Sequence, residues 1–177
     1  VDAGPIVAQE LFALTPAMTG LTLYMKTLSV GARLMADALR TLADAGRLDA
    51  REQDLSRRRY YGAGAPFGGV LDPRWDAAAA ERFVRALSYR PFAAPTGGPM
   101  LLWRGRPLEI AQARAESLDS TGAAPGEILE LGEQGLLLAM GQGALRITTF
   151  WLDAARPASQ AARELGMTPG ARLGTHT

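Results

Sequence analysis

The chain has 177 residues, enough for one ordinary domain or two small ones with a core. Hydrophobic residues make up 47% and charged residues 21%, which excludes a disordered chain, and the formal charge of +1 excludes a global field for nucleic acid or anionic lipid. With no cysteine, disulfides, thiolate nucleophiles and cysteine-ligated metals are excluded as well.

Pro5 to Leu14 is largely apolar and β-compatible, and it closes at Thr15-Pro16, so it reads as a strand or extended pair ending in a turn. A long helix is predicted from Thr19 to Leu42. Leu21, Tyr24, Leu28, Gly31, Met35, Ala38 and Leu42 recur at spacings of three and four, the pattern of one buried stripe, with Lys26 and Arg33 off it. Thr19 is the expected N-cap and Gly46 the expected stop. Asp44 to Gly69 is polar and then glycine-rich, and reads as a connector. Asp72-Pro73 is expected to open a second helix to Leu87, with Asp72 as the N-cap and Phe83, Val84 and Leu87 facing inward.

From Met100 onward, short apolar runs alternate with glycine and proline. Strands are predicted at 100–103, 107–115, 127–131, 135–140 and 144–152, at the spacing of a small antiparallel barrel or sandwich. Gly105, Gly132 and Gly141-Gln142-Gly143 mark the turns, and Ser159 to Leu165 adds a short helix. Trp75, Trp103 and Trp151 are scattered and read as packing residues rather than a stacking platform.

Several segments, in order, carry a family resemblance. Asp2-Ala3-Gly4-Pro5-Ile6 has the form D-x-G-x-I, and Thr19, Gly20, Leu23 and Lys26 follow it on one helix. Tyr60-Tyr61 stands ahead of Gly69-Val70-Leu71-Asp72, and Phe83-Val84-Arg85-Ala86-Leu87 precedes Pro91-Phe92. Pro125-Gly126-Glu127-Ile128-Leu129, Gly141 to Ile147 and Pro169-Gly170 complete the series. Taken together, the chain resembles the folate-dependent formyltransferases, the family of methionyl-tRNA formyltransferase and the amino-sugar N-formyltransferases. Asp72-Pro73-Arg74-Trp75 departs from that family's adjacent aspartate and tryptophan.

The resemblance implies an α+β chain: residues 1–48 as the C-terminal remnant of a Rossmann-like formyltransferase domain (strand plus long helix), 49–99 as linker and connecting helix, and 100–177 as a small OB-like antiparallel β-barrel. It implies 10-formyltetrahydrofolate as co-substrate and Asp2 as a catalytic carboxylate that orients a histidine. The catalytic histidine and asparagine are expected upstream of Val1, so this chain by itself is expected to be inactive. His176, the only histidine, lies at the C-terminal end and is not expected to serve. No residue is assigned to the folate, and no cluster has metal-ligand spacing.

Arg57-Arg58-Arg59 followed by Tyr60-Tyr61 has two readings. Arg59, Tyr60 and Tyr61 are candidate substrate contacts, with guanidinium for phosphate and tyrosine for stacking, or the run is a solvated linker offsetting Glu52 and Asp54. Residues 100–177 carry seven arginines and no lysine against eight acids, giving 7 − 8 = −1, which is a poor footprint for tRNA. A small amine acceptor is therefore favoured, with methionyl-tRNA as the alternative and a non-catalytic OB-like binding module as a further one. No apolar run reaches the ~20 residues of a membrane span and no signal peptide is legible, so the cytoplasm is the expected compartment.

Overall fold

The computed structural model describes residues 3–118 and 122–174. Asp2 and His176 therefore lie outside the described residues. The chain divides into two compact units, one ending at Ala63 and one beginning at Gly64.

The first unit is organised by the helix α1, Gly20–Ala45. Thr19 caps it: its Oγ1 accepts the Thr22 N–H at 3.2 Å, and the Thr22 hydroxyl oxygen accepts the Thr19 N–H at 2.8 Å. At the other end Gly46 takes φ 71°, and its N–H donates to the Leu42 carbonyl. Both ends were legible from the sequence, but the stripe is not buried. Tyr24, Leu28, Met35 and Leu42 are 42–63% exposed, and Gly20 is the only buried residue of α1. Helical spacing of apolar residues gives a helix its face; it does not supply the surface that covers it.

Pro5 to Leu14 does not form a strand. Ile6 makes one antiparallel bridge with Arg51, and among the described residues the rest of the segment has no ladder partner to hold it as a sheet. Instead Arg33 pairs with Glu10, and the Lys26 ammonium sits 4.4 Å from the Phe12 ring centre. The two charged residues predicted off the stripe thus tether the segment to α1.

The second unit is an antiparallel sheet with helices: β1 Met100–Trp103, β2 Arg106–Glu116, β3 Ile128–Gly132, β4 Gly135–Ala139, β5 Ala144–Trp151 and β6 Ala155–Pro157, with α2 Ala77–Ala86 and α3 Ala158–Glu164. The order is β1-β2-β5-β4-β3, with β6 paired to the end of β5. β2 pairs with β5 through register shifts between Ile110 and Ala113, which bend the long strands and curl the sheet. One face and both helices enclose a core that includes Leu101, Leu108, Ile110, Ile128, Leu136, Leu138, Leu145, Ile147 and Phe150. Five predicted strands are present to within a residue or so; β6 was not anticipated.

The helix α2 begins later than expected. Asp76, not Asp72, is its N-cap and accepts the Ala79 N–H at 2.9 Å. The Asp72 carboxylate is occupied by Arg74, accepting its backbone N–H at 2.9 Å and its guanidinium at 2.6 Å. That contact holds the Asp72 carboxyl below the usual aspartate range. Ala77, Ala80, Val84 and Leu87 face the core, and Phe83 packs at its margin. Arg85 pairs with Glu81 at 2.9 Å, and Glu81 in turn accepts the Ala115 N–H at 2.9 Å, fastening α2 to β2. Trp103 is buried and donates its indole N–H to the Leu165 carbonyl at 3.0 Å. Trp75 joins Phe67 and Phe83 in an aromatic cluster, with ring centres 5.0 and 5.1 Å apart. Trp151 carries the Arg90 guanidinium 4.4 Å above its ring.

Candidate functional site

The sequence-predicted contacts Arg59, Tyr60 and Tyr61 sit in the first unit, on an exposed stretch that follows a single 3-10 turn, Leu55–Arg57. Asp54 builds that turn by accepting the Ser56 N–H at 3.1 Å and its hydroxyl at 2.6 Å. This is ordinary Asx-turn chemistry, and it commits the aspartate to its own backbone. Arg58 then leaves the turn in an extended conformation, φ −61° and ψ 132°. Tyr60 and Tyr61 are 87% and 82% exposed.

The segment lines a cleft of about 1120 Å3 together with Ile6, Arg51, Glu52, Gln53 and Leu55. Its wall depends on one long-range pairing. The Ile6 N–H donates to the Arg51 carbonyl at 2.8 Å, and the Arg51 N–H returns to the Ile6 carbonyl at 3.0 Å. The Gln53 side-chain amide donates to the Gly4 carbonyl at 2.5 Å, and the Arg51 guanidinium reaches the Gln9 side chain at 3.2 Å. Ile6, from one segment singled out in the sequence, and the arginine–tyrosine run, singled out separately, therefore line one cleft. Arg51 and Gln53, which join them, had no local signal; only a contact across some 45 residues reveals them.

The cleft is electropositive. Four arginines line it against Glu52 and Asp54. The guanidinium groups of Arg57 and Arg59 have no ion-pair partner among the described residues. Such a surface can hold phosphate oxygens through charge-assisted hydrogen bonds and can stack planar rings.

The second unit spends its charge differently. Arg146 is 5% exposed on the sheet face opposite the core. It donates to Glu116 at 2.6 and 3.1 Å and to Glu130 at 3.2 and 3.3 Å. Those hydrogen bonds hold the Glu116 carboxyl below the usual glutamate range and raise the guanidinium above its own. Arg114 shares Glu116, and Arg156 is held by Asp153 and Glu164. Among the described residues no group of three or more His, Cys, Asp or Glu is placed to hold a metal, and no helix is long and apolar enough to cross a membrane.

The chain is similar to known proteins over most of its length. A methionyl-tRNA formyltransferase of Roseiflexus castenholzii is 34% identical over 177 residues, 98% of this chain and 54% of the relative. A methionyl-tRNA formyltransferase of Burkholderia pseudomallei is 35% identical over 150 residues, covering 84% of this chain and 43% of its own. The chain thus spans about half the length of the curated relatives it matches. Among solved structures, HypX from Aquifex aeolicus in complex with tetrahydrofolic acid shares the fold with a TM-score of 0.63 at 17% identity, over 99% of this chain and 32% of that one. The profile of the formyl transferase C-terminal domain matches residues 69–163, more than half of the sequence and nearly all of the sheet and its helices. The chain belongs to the formyl transferase C-terminal domain family.

Proposed function

We propose that the natural protein carrying this chain transfers the formyl group of 10-formyltetrahydrofolate to a primary amine, and that the amine is the one on methionyl-tRNA. The observation that carries this reading is the relative named methionyl-tRNA formyltransferase, aligned over 98% of this chain at 34% identity. The folate-bound HypX structure, alike in fold, agrees with the donor. In the reaction the amine nitrogen attacks the formyl carbon and gives a proton to a base, and the bond from that carbon to the folate nitrogen breaks as that nitrogen takes up a proton from the conjugate acid of the base. Asp2 is the carboxylate that orients that base. Arg59, Tyr60 and Tyr61 contact the acceptor. No residue of this chain is assigned to the folate.

On this reading residues 1–48 complete a Rossmann-like catalytic domain, 49–99 link it onward, and 100–177 form an OB-like barrel in a cytoplasmic enzyme. A small amine, such as an amino sugar, remains a second reading because residues 100–177 carry a net charge of −1. That count weighs less once the cleft is known, since phosphate contacts can come from the arginines at 51–59 instead. The test is a transfer assay with the natural protein, 10-formyltetrahydrofolate and either methionyl-tRNA or a panel of amino sugars. Formylated methionyl-tRNA, lost in Asp2→Asn, is the expected result. Transfer only to amino sugars selects the second reading, and no transfer to any amine leaves a binding module.

A further inference from the structure

We propose that Gln53 is a positioning residue for the formyl transfer: its side-chain amide, by holding the Gly4 carbonyl, sets the course of the segment that carries Asp2. The inference rests on the transferase reading and on Asp2 as the carboxylate that orients the base. It adds a group that acts through that carboxylate.

The pairing beside Asp2 ends in a side chain instead of a backbone ladder. Ile6 and Arg51 exchange both backbone hydrogen bonds, at 2.8 and 3.0 Å, as a hydrogen-bonded antiparallel pair does. The same register, carried two residues further, sets Gly4 opposite Gln53 as the next such pair. Their backbones exchange no bond; the Gln53 amide nitrogen reaches across and donates to the Gly4 carbonyl at 2.5 Å. On the other flank of the bridge the Arg51 guanidinium takes the Gln9 side chain at 3.2 Å. One side-chain contact thus lies along the chain away from Asp2, and the other towards it.

Little else fixes the course of the chain at that point. Ala3, Gly4 and Pro5 are exposed, Gly4 has nothing within 4 Å of where a Cβ would stand, and Pro5 has no N–H to donate. Gln53 is half-buried, and among the described residues its amide makes the hydrogen bond nearest in the chain to Asp2. A group that orients a base must itself be held, because ~1 Å of misplacement can cost ~100-fold in rate. The bond lies at the surface and adds little to stability, so cutting it should free the segment without unfolding α1.

Kinetics of formyl transfer by the natural protein supply the first arm of the test, with the amine that the unsubstituted enzyme accepts. Gln53→Ala and the equally long Gln53→Met, both without the donor, should lower kcat about tenfold and leave both KM values within about twofold. Gln53→Lys, which returns a donor to the same carbonyl, should recover most of the loss. The pH profile separates positioning from loss of structure. A carboxylate held against the base stabilises its protonated form, so loosening it should move the acid limb of kcat to lower pH by roughly 0.5 in Gln53→Ala. The second arm needs no substrate: in the 177-residue chain, Gln53→Ala should speed amide exchange at Ile6 about fivefold and leave the middle of α1 unchanged.

Unchanged kcat in Gln53→Ala or Gln53→Met overturns the proposal. So does lost kcat with an unmoved acid limb, failure of lysine to restore it, or unchanged exchange at Ile6. If the unsubstituted natural protein transfers no formyl group to any amine, the transferase reading itself falls and the role of Gln53 falls with it. If it transfers the group and Gln53→Ala matches it, the role of Gln53 falls alone.

Discussion

Replacing Arg146 by methionine tests how far the outer face of the sheet depends on one guanidinium. Arg146 lies across from Leu137 on β4 and from Arg114 on β2, and Leu137 faces Glu130 in turn. The Arg146 stem covers Leu137, which is 5% exposed, while its head satisfies Glu116 and Glu130. Methionine keeps most of the stem and leaves two carboxylates without their shared cation. Removing one partner of a fully buried pair costs ~3–5 kcal/mol. The side chains of Glu116 and Glu130 are 26% and 50% exposed, so water recovers part of that and we expect about 2 kcal/mol. For a unit of about 110 residues, unfolding near ~2.1 cal/mol/K per residue, this lowers Tm by about 8 °C.

The same substitution has a pH signature. Glu116 is held below the usual glutamate range, chiefly by the Arg146 hydrogen bonds, so below about pH 5 the unfolded chain binds more protons than the folded one. The stabilisation is complete above the unfolded pKa and is lost as pH falls through the folded one. Scanning calorimetry from neutral to acid should therefore show a steeper acid limb in the parent than in Arg146→Met. A Tm change under about 2 °C at neutral pH with an unaltered acid limb would refute the reasoning.

Three further substitutions probe other joints. Gly141→Ala would set a Cβ 2.0 Å from the Arg74 carbonyl oxygen, and relieving it disturbs the Gly141 N–H contacts with Pro73 and Trp75 at 2.8 and 2.9 Å. We expect a loss of about 3 kcal/mol, read as a lower denaturant midpoint at constant m. Thr19→Ala removes the N-cap of α1 and should cost about 1 kcal/mol, seen as roughly fivefold faster hydrogen exchange in the first turn. Trp103→Phe leaves the Leu165 carbonyl without its indole donor and should cost about 2 kcal/mol by thermal unfolding, whereas an unchanged Tm would mean that this bond contributes nothing.

Where local chemistry decides, the sequence could be read closely. Thr19 and Gly46 bound α1 because a hydroxyl and a left-handed glycine answer the orphan groups of any helix. Arg104-Gly105, both at positive φ, close the β1–β2 hairpin as such a pair should. Where a choice depends on a side chain's other partner, the reading failed. The sequence pointed to Asp72 as the cap of α2, but Arg74 occupies its carboxylate and Asp76 caps the helix instead. β6 has no alternation of its own and exists because β5 is long enough to pair it.

Charge shows the same limit in the candidate site. The count of −1 over residues 100–177 treats every arginine as available to a phosphate. In the fold Arg146 is buried between two glutamates, and Arg114 and Arg156 are held by acids beside them. The same pairs consume Glu116, Glu130, Asp153 and Glu164, so 7 − 3 = 4 arginines stand against 8 − 4 = 4 acids, and the net charge left over is zero rather than −1. The guanidinium groups of Arg57 and Arg59 are unpaired among the described residues, and they lie outside the segment that was counted. Net charge over a domain reports on partners only after subtracting what the fold consumes.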